Sequence, residues 1–437
     1  MESVWRQYLT LQKSSAHENS AELDTVVIGG GIAGIMSAYM LSQSGHKVTL
    51  IEAGKVLEGV TASTTAHVNA LQGKYTDIPT SKKRRLYYES QMQAIDGIES
   101  LGGDCDFERM DAFLFGERKQ LSKEYKTMKK FCVPEYNQNR HLPFGVYDCI
   151  KLSGQAQFNP IKFCQGFIAR GNFNIIQNCR IKKVSFRRKK LSTEDKTFTY
   201  KRLIIATGFP IANIRGIYAF KMYKSFSYAI CAESSQKLGA IYNSIADDGV
   251  TYRDSADGII IGGLDHRTGR AKCNSYFDML QQEAKKFDST LSKYKWAAND
   301  CMTFDQIPYA GRFSRFRKNV YVISGFGKWG MANSYVCAKI VDDIIAGQKN
   351  KYAKLFKPTR VLNMKVWHKF LWSFAMDGLG LIAGLFSSGK RRCPHMGCRL
   401  KFNHNTQTYD CPCHGSRLTK NGDIITCPTV DANEKLM

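Results

Sequence analysis

Residues Asp24–Glu52 read DTVVIGGGIAGIMSAYMLSQSGHKVTLIE, and this stretch decides the fold. Asp24–Ile28 is a short apolar run with two adjacent valines, the pattern of a buried parallel strand. Gly29, Gly31 and Gly34 supply G-x-G-x-x-G, a helical run continues through Leu41, and Lys47–Ile51 is a second strand. The first glycine permits a tight turn, the second lets backbone approach a pyrophosphate, and the third lets helix and strand pack closely. The free N–H groups at the helix start, with its positive dipole end, face the phosphates. Glu52 closes the second strand where a carboxylate accepts ribose hydroxyls. Strand, glycines, helix, strand and acid in this order specify a dinucleotide site. They do not say which dinucleotide.

Two later segments repeat the strand-to-glycine theme. Arg202–Ala206 (RLIIA) runs into Thr207-Gly208, and Asn319–Gly330 (NVYVISGFGKWG) runs into a helix expected over Met331–Gly347. Three glycine turns converging on one ligand suit a long, extended cofactor. Gly59–Gly73 (GVTASTTAHVNALQG) is rich in small hydroxyl residues, Thr64 and Thr65 among them. Such residues either press against a flat cofactor or cap a helix beside a loop. The lone His67 there reads as structural.

Helices are expected over Lys82–Gly102, Lys119–Phe131 and Phe158–Gly171, the last started by Asn159-Pro160. A strand pair is expected around Asp106–Arg118, and residues 218–300 read as a mainly antiparallel substrate domain. The boundaries expected are 1–74, 150–217 and 303–362 for the dinucleotide domain, and 75–149 and 218–302 for the substrate domain. A linker helix (363–388) and a small tail domain (389–437) follow.

A chain of 437 residues can hold two or three domains with proper cores. Its formal charge is +25, densest in Lys82–Arg85 (KKRR) and Arg180–Lys190 (RIKKVSFRRKK). Such runs are a solvated surface, or a docking face for an acidic redox partner or an anionic membrane. No recognition module accompanies them, so nucleic acid is not expected as a partner. The N-terminus lacks a signal-type apolar region, and a cytoplasmic protein is the expectation. Lys365–Ser388 is apolar, but Lys369 and Asp377 interrupt it and no apolar run reaches ~18 residues. It reads as a helix packed on the body, with peripheral membrane contact through 365–392 as the alternative.

Nine of the fourteen cysteines are scattered over residues 105–337, and five crowd into 393–427. There Cys393 and His395 form C-x-H, and after fifteen intervening residues Cys411 and His414 form C-x-x-H. Two thiolates on one iron and two imidazoles on the other make a Rieske [2Fe–2S] centre. Structural zinc sites pair Cys with Cys and His with His instead. Cys398 and Cys413 flank the ligands, where a disulfide would staple the two cluster loops.

Together the quoted segments, with Trp5-Arg6, IIGGLDHRTG and DQIPYAG, resemble the D-amino-acid-oxidase-like flavoproteins, in the branch with a C-terminal Rieske domain. The resemblance covers nearly the whole chain. It implies FAD, in a Rossmann-like α/β domain of two-dinucleotide-binding type, with an α+β substrate domain and a small all-β Rieske domain. By position, Gly29, Gly31, Gly34 and Glu52 would hold adenosine and pyrophosphate, with Thr64 and Thr65 near the phosphates or ring. Thr207 and Gly208 would back the cofactor, while Gly325, Gly327, Gly330 and Met331 would line the ring's pyrimidine edge. Lys328 is the candidate for stabilising negative charge there. Departures are Cys427-Pro428-Thr429 in the third Rieske loop and Leu418 where high-potential members carry tyrosine. A cluster with fewer hydrogen bonds to sulfur sits at lower potential.

The function implied is a dehydrogenase for a small amine or amino acid, passing electrons through the cluster to an external protein or quinone. An oxidase using O₂ directly, or a non-catalytic redox sensor, are the alternatives.

Overall fold

The computed structural model describes the chain except residues 11–13, 15–19, 215, 290–291, 362–365, 387–391, 427 and 430–437. Cys427 and both ends of the expected linker therefore lie outside the described residues.

The strand Ser20–Ile28 is central to the first sheet. It pairs in parallel with Val48–Ile51 on one side and Thr197–Ile205 on the other. Phe173–Ile176 and Arg317–Ser324 extend the parallel order outward, and Tyr309–Ser314 returns antiparallel at one edge. Toward their C-terminal ends these strands are buried on both faces and apolar: Val26, Val27, Leu50, Leu203, Ile204 and Val322 are all sealed from solvent. Two helices close one face, Ile32–Gln43 and Gly330–Ile345.

The second sheet has nine strands, with Met222–Ala232, Gly258–Arg267 and Tyr294–Thr303 hydrogen-bonded antiparallel at one side. Gly145–Gln157 pairs along nearly its whole length with Glu108–Gly116. The sheets therefore part near Phe158, where Asn159 caps the next helix through Ile161 and Lys162 N–H groups, and not at 150. Asp106–Arg118 contains one strand where a pair was expected. The antiparallel region also holds a helix, Tyr276–Ala284, which buries Tyr276, Leu280 and Ala284 at four-residue spacing.

Trp367–Leu385 is a helix, and it seats on the tail by close backbone approach. A Cβ on Gly384 would stand 2.0 Å from the Gly397 carbonyl oxygen, so no other residue fits there. Arg267 reaches across from the second sheet, donating to Ser373 Oγ (2.9 Å), Asp377 (2.8 Å) and the Cys413 carbonyl (3.2 Å). The outer face of the helix is apolar: Leu371, Trp372, Phe374, Leu379, Ile382 and Leu385 are each more than half exposed. Among the described residues no helix is long and apolar enough to cross a membrane. The tail is a four-stranded antiparallel sheet around Leu400, Leu418 and four cysteines.

Candidate functional site

The glycine turn is built as its spacing requires. Gly29 has φ +115°, and a Cβ on Gly34 would lie 1.8 Å from the Gly29 carbonyl oxygen. Gly31 is freer, its added Cβ meeting only Thr61 Oγ1 at 3.2 Å. Gly31 has no side chain to cap the helix that follows, and the Ile32 N–H donates to Thr61 Oγ1 at 3.0 Å. Glu52 accepts from the Gly30 and Gly54 N–H groups at 2.6 and 2.9 Å, which holds its carboxylate at the strand end.

A cavity of about 290 Å³ opens over this turn. It gathers Gly29, Gly31, Glu52, Thr207, Gly208, Gly325, Gly330 and Met331 from the expected set. Gly34 lies beneath it as a packing residue. Gly327 is not in its wall; its N–H donates to the Cys301 carbonyl. A bare glycine floor at a helix start and a carboxylate at the second strand end fit a dinucleotide.

Thr64, Thr65 and Lys328 line a smaller neighbouring cavity of about 150 Å³, which shares Val60 and Asp300 with the first. The Thr64–Ala66 strap is fixed from behind. Trp5 Nε1 donates to the Thr64 carbonyl at 2.7 Å, and the buried Arg253 guanidinium donates to those of Thr65 and Ala66. Burial lowers Arg253 to about 10. His67 also lines this cavity and is held by Asn243 at 3.0 Å, burial pressing its imidazole down to about 3.

Lys328 forms an ion pair with Asp265. Burial raises the Asp265 carboxyl against the pull of that ammonium, and raises Asp300 to about 6. Asp265, Asp300, Lys224 and Asn299 were not legible in the sequence, because strand register brings them together across residues 224–300. Asp300 pairs with Ser225 in that register, directly beside Lys224.

In the tail, the Cys398, Cys411 and Cys413 sulfurs lie within 4.8 Å of one another. Cys393 is drawn toward the thiolate by the Cys411 sulfur, then by the His395 and Met396 N–H groups and the Ser416 hydroxyl. The His395 and His414 rings stand 5.1 Å apart and nearly perpendicular. His414 is 2% exposed, and neither of its ring nitrogens has a hydrogen-bond partner; the Ala219 carbonyl faces the ring without completing a bond. A buried imidazole with both nitrogens unpaired is costly unless a metal takes one. Thiols with donors aimed at their sulfur, facing two unprotonated imidazoles, fit a [2Fe–2S] cluster. Cys398 and Cys413 are free thiols here, side by side.

The tail is turned inward. His414 meets Phe209 edge-on at 6.2 Å, just past Thr207-Gly208, and His395 Nε2 pairs with Asn213 Oδ1 at 3.2 Å. Ile425, Thr426 and Thr429 of the tail complete the wall of the larger cavity.

Comparison with known proteins agrees with this geometry. Residues 24–344 match the family described as FAD dependent oxidoreductase, and 379–436 match the Rieske [2Fe-2S] domain. The chain belongs to the FAD dependent oxidoreductase family, in a form with a C-terminal Rieske domain, and its cofactors are FAD and a [2Fe–2S] cluster. It is 28% identical to the putative Rieske 2Fe-2S iron-sulfur protein YhfW of Bacillus subtilis (strain 168), covering 98% of this chain and 96% of that one. Among solved structures it is similar to glycine oxidase from Geobacillus kaustophilus (TM-score 0.67, 13% identity, 78% of this chain and 100% of that one). It is also similar to L-proline dehydrogenase from P. horikoshii (TM-score 0.65, 17% identity, 78% and 98%).

Proposed function

We propose that this flavoprotein is a dehydrogenase for a small amine or amino acid, with a secondary or N-substituted amine as the favoured substrate. Electrons leave one at a time through the Rieske centre to an external acceptor, a protein or a quinone. FAD supplies a two-electron acceptor and the cluster a one-electron relay.

The observation that carries this reading is the inward aim of His414, which meets Phe209 just past Thr207-Gly208 in the wall of the flavin cavity. A cluster kept only for structure has no need of that placement. The chain's residues supply the substrate site. Asp300, where the two cavities meet, offers a carboxylate to a substrate ammonium. Among the described residues Lys328 is the one Lys or Arg in the smaller cavity's lining and can receive a substrate carboxylate.

Anaerobic titration with a panel of amines and amino acids tests the reading. Flavin absorbance should bleach, and the electron paramagnetic resonance signal of the reduced cluster should follow. Rapid peroxide formation in air with the cluster still oxidised would instead identify an oxidase with an ornamental tail.

The exposed apolar face of Trp367–Leu385, with Arg392 bonded to its C-terminal end and exposed Arg399 beside Gly380, suits contact with an anionic membrane surface. Flotation with phosphatidylserine vesicles but not with phosphatidylcholine vesicles is the expected result.

A further inference from the structure

The run Arg180–Lys190 touches the larger cavity only through Arg180 and Ile181, and the rest of it lies beside His395 of the tail. Lys183–Ser185 and Lys190–Ser192 form a hairpin at the margin of the first sheet. Its side chains Lys182, Lys183, Arg188 and Lys190 wall an open cleft of about 570 Å³. Across the cleft stand residues 211–214 and, from the tail, Pro394 and His395. Among the described residues the lining holds four Lys or Arg side chains and no carboxylate. Among the described residues Lys182 is paired with Glu194, whereas Lys183, Arg188 and Lys190 have no ion-pair partner.

Of the two ligand imidazoles, His414 is sealed and His395 is only half-buried. The cleft is therefore where a cluster ligand comes nearest to solvent. Its charged wall stands against an apolar one: Ile211 and Ala212 line it, Ile214 is 59% exposed at its mouth, and Ile217 is 56% exposed close by in the chain. An apolar patch with a charged rim is the make-up of a small protein interface, not of a pocket for an inorganic anion. Against a second copy of this chain the cleft would meet a like charge, since each copy carries +25, whereas an acidic partner is attracted.

We propose that this cleft docks an acidic one-electron carrier protein. Carboxylates of the carrier's rim seat on Lys183, Arg188 and Lys190, and its redox group faces His395. The proposal rests on the reading that the Rieske centre relays electrons outward. For each substrate C–H and N–H pair converted to C=N, two carriers are reduced by one electron each, and two protons pass to solvent.

The test uses the holoprotein, with binding of a plant-type [2Fe–2S] ferredoxin and a flavodoxin measured by biolayer interferometry at low and physiological salt. Both should bind, more weakly as salt rises. Lys183→Glu/Arg188→Glu/Lys190→Glu should weaken binding by about tenfold or more. Lys82→Glu/Arg85→Glu/Lys119→Glu makes the same change in charge outside the cleft and should leave binding nearly unchanged. Absence of binding by either carrier, or equal weakening in the two variants, overturns the proposal. Displacement of the carriers by duplex DNA that the cleft variant no longer binds would also overturn it, by making the cleft a polyanion site. Cluster reduction by substrate in the absence of carrier is recorded in parallel. Its loss would count against the relay reading, whereas its persistence without carrier binding would count against the docking site alone.

Discussion

The side-chain amide of Asn299 donates to the Gly415 carbonyl at 2.9 Å, so a strand walling the larger cavity grips the residue next to His414, the proposed cluster ligand. The same amide also reaches Thr426 Oγ1 at 3.3 Å, and Asn299 Oδ1 accepts from Thr268 at 2.6 Å. Asn299→Ala leaves buried partners unpaired, an expected loss of about 1–3 kcal/mol in stability. Chemical denaturation should show that loss. Stopped-flow spectroscopy should show substrate bleaching of flavin retained and cluster reduction slowed.

Gly34→Ala and Gly31→Ala separate folding from cofactor binding. The first places a Cβ 1.8 Å from a backbone carbonyl, so both thermal stability and FAD content should fall. The second meets only a hydroxyl at 3.2 Å, so the apoprotein should melt close to wild type while FAD affinity drops. Parallel melting curves and flavin titrations decide. Equal melting of the two variants would contradict the packing role of Gly34.

Asp300 sets a pH dependence. Burial raises its carboxyl from 3.8 to about 6, so the ionised form predominates only above that pH. Protonation as pH falls through about 6 removes the charge facing a substrate ammonium, and the substrate dissociation constant should rise. Asp300→Asn should bind weakly at every pH, with a flat profile through this range. Stability runs the opposite way. The unfolded chain releases this proton near pH 4 while the folded one keeps it, so the contribution to stability falls from about pH 4 to about pH 6.

Arg267→Ala strands Asp377, a carboxylate that burial already pushes up to about 6. Loss of one partner of a buried pair costs about 3–5 kcal/mol. Hydrogen exchange should accelerate in Trp367–Leu385 and in the tail strands, with the first sheet unaffected.

The pairing of Cys398 with Cys413 is open to direct measurement. Non-reducing mass spectrometry of the holoprotein should recover the two peptides linked. Free alkylation of both thiols in the folded protein would show that packing alone holds the cluster loops.

What the sequence disclosed was local. Gly29, Gly31 and Gly34 could be read because a strand, a turn and a helix within one short segment carry the whole signal. Cys393, His395, Cys411 and His414 could be read because their residue types have few other uses at that spacing. Asn299 and Asp300 could not, since their value comes from pairing with Ser225 and Phe226, a register set by tertiary contacts. The helix Tyr276–Ala284 did leave a sign, apolar residues four apart, but it was submerged in a segment otherwise alternating like strands. The inward turn of the tail had no sequence signature. It depends on Arg267 and Asn299 meeting carbonyls far along the chain.

Cys393, Cys411 and His414 are all 2% exposed or less, enclosed between the tail and the body. That enclosure orders the maturation of the protein. Iron and sulfide have to be delivered while the tail stands open, and closure onto the body follows as the final step of assembly. Chains made without iron should accordingly display residues beyond Phe386 as an extension that proteases trim, leaving a yellow core that has lost its brown component.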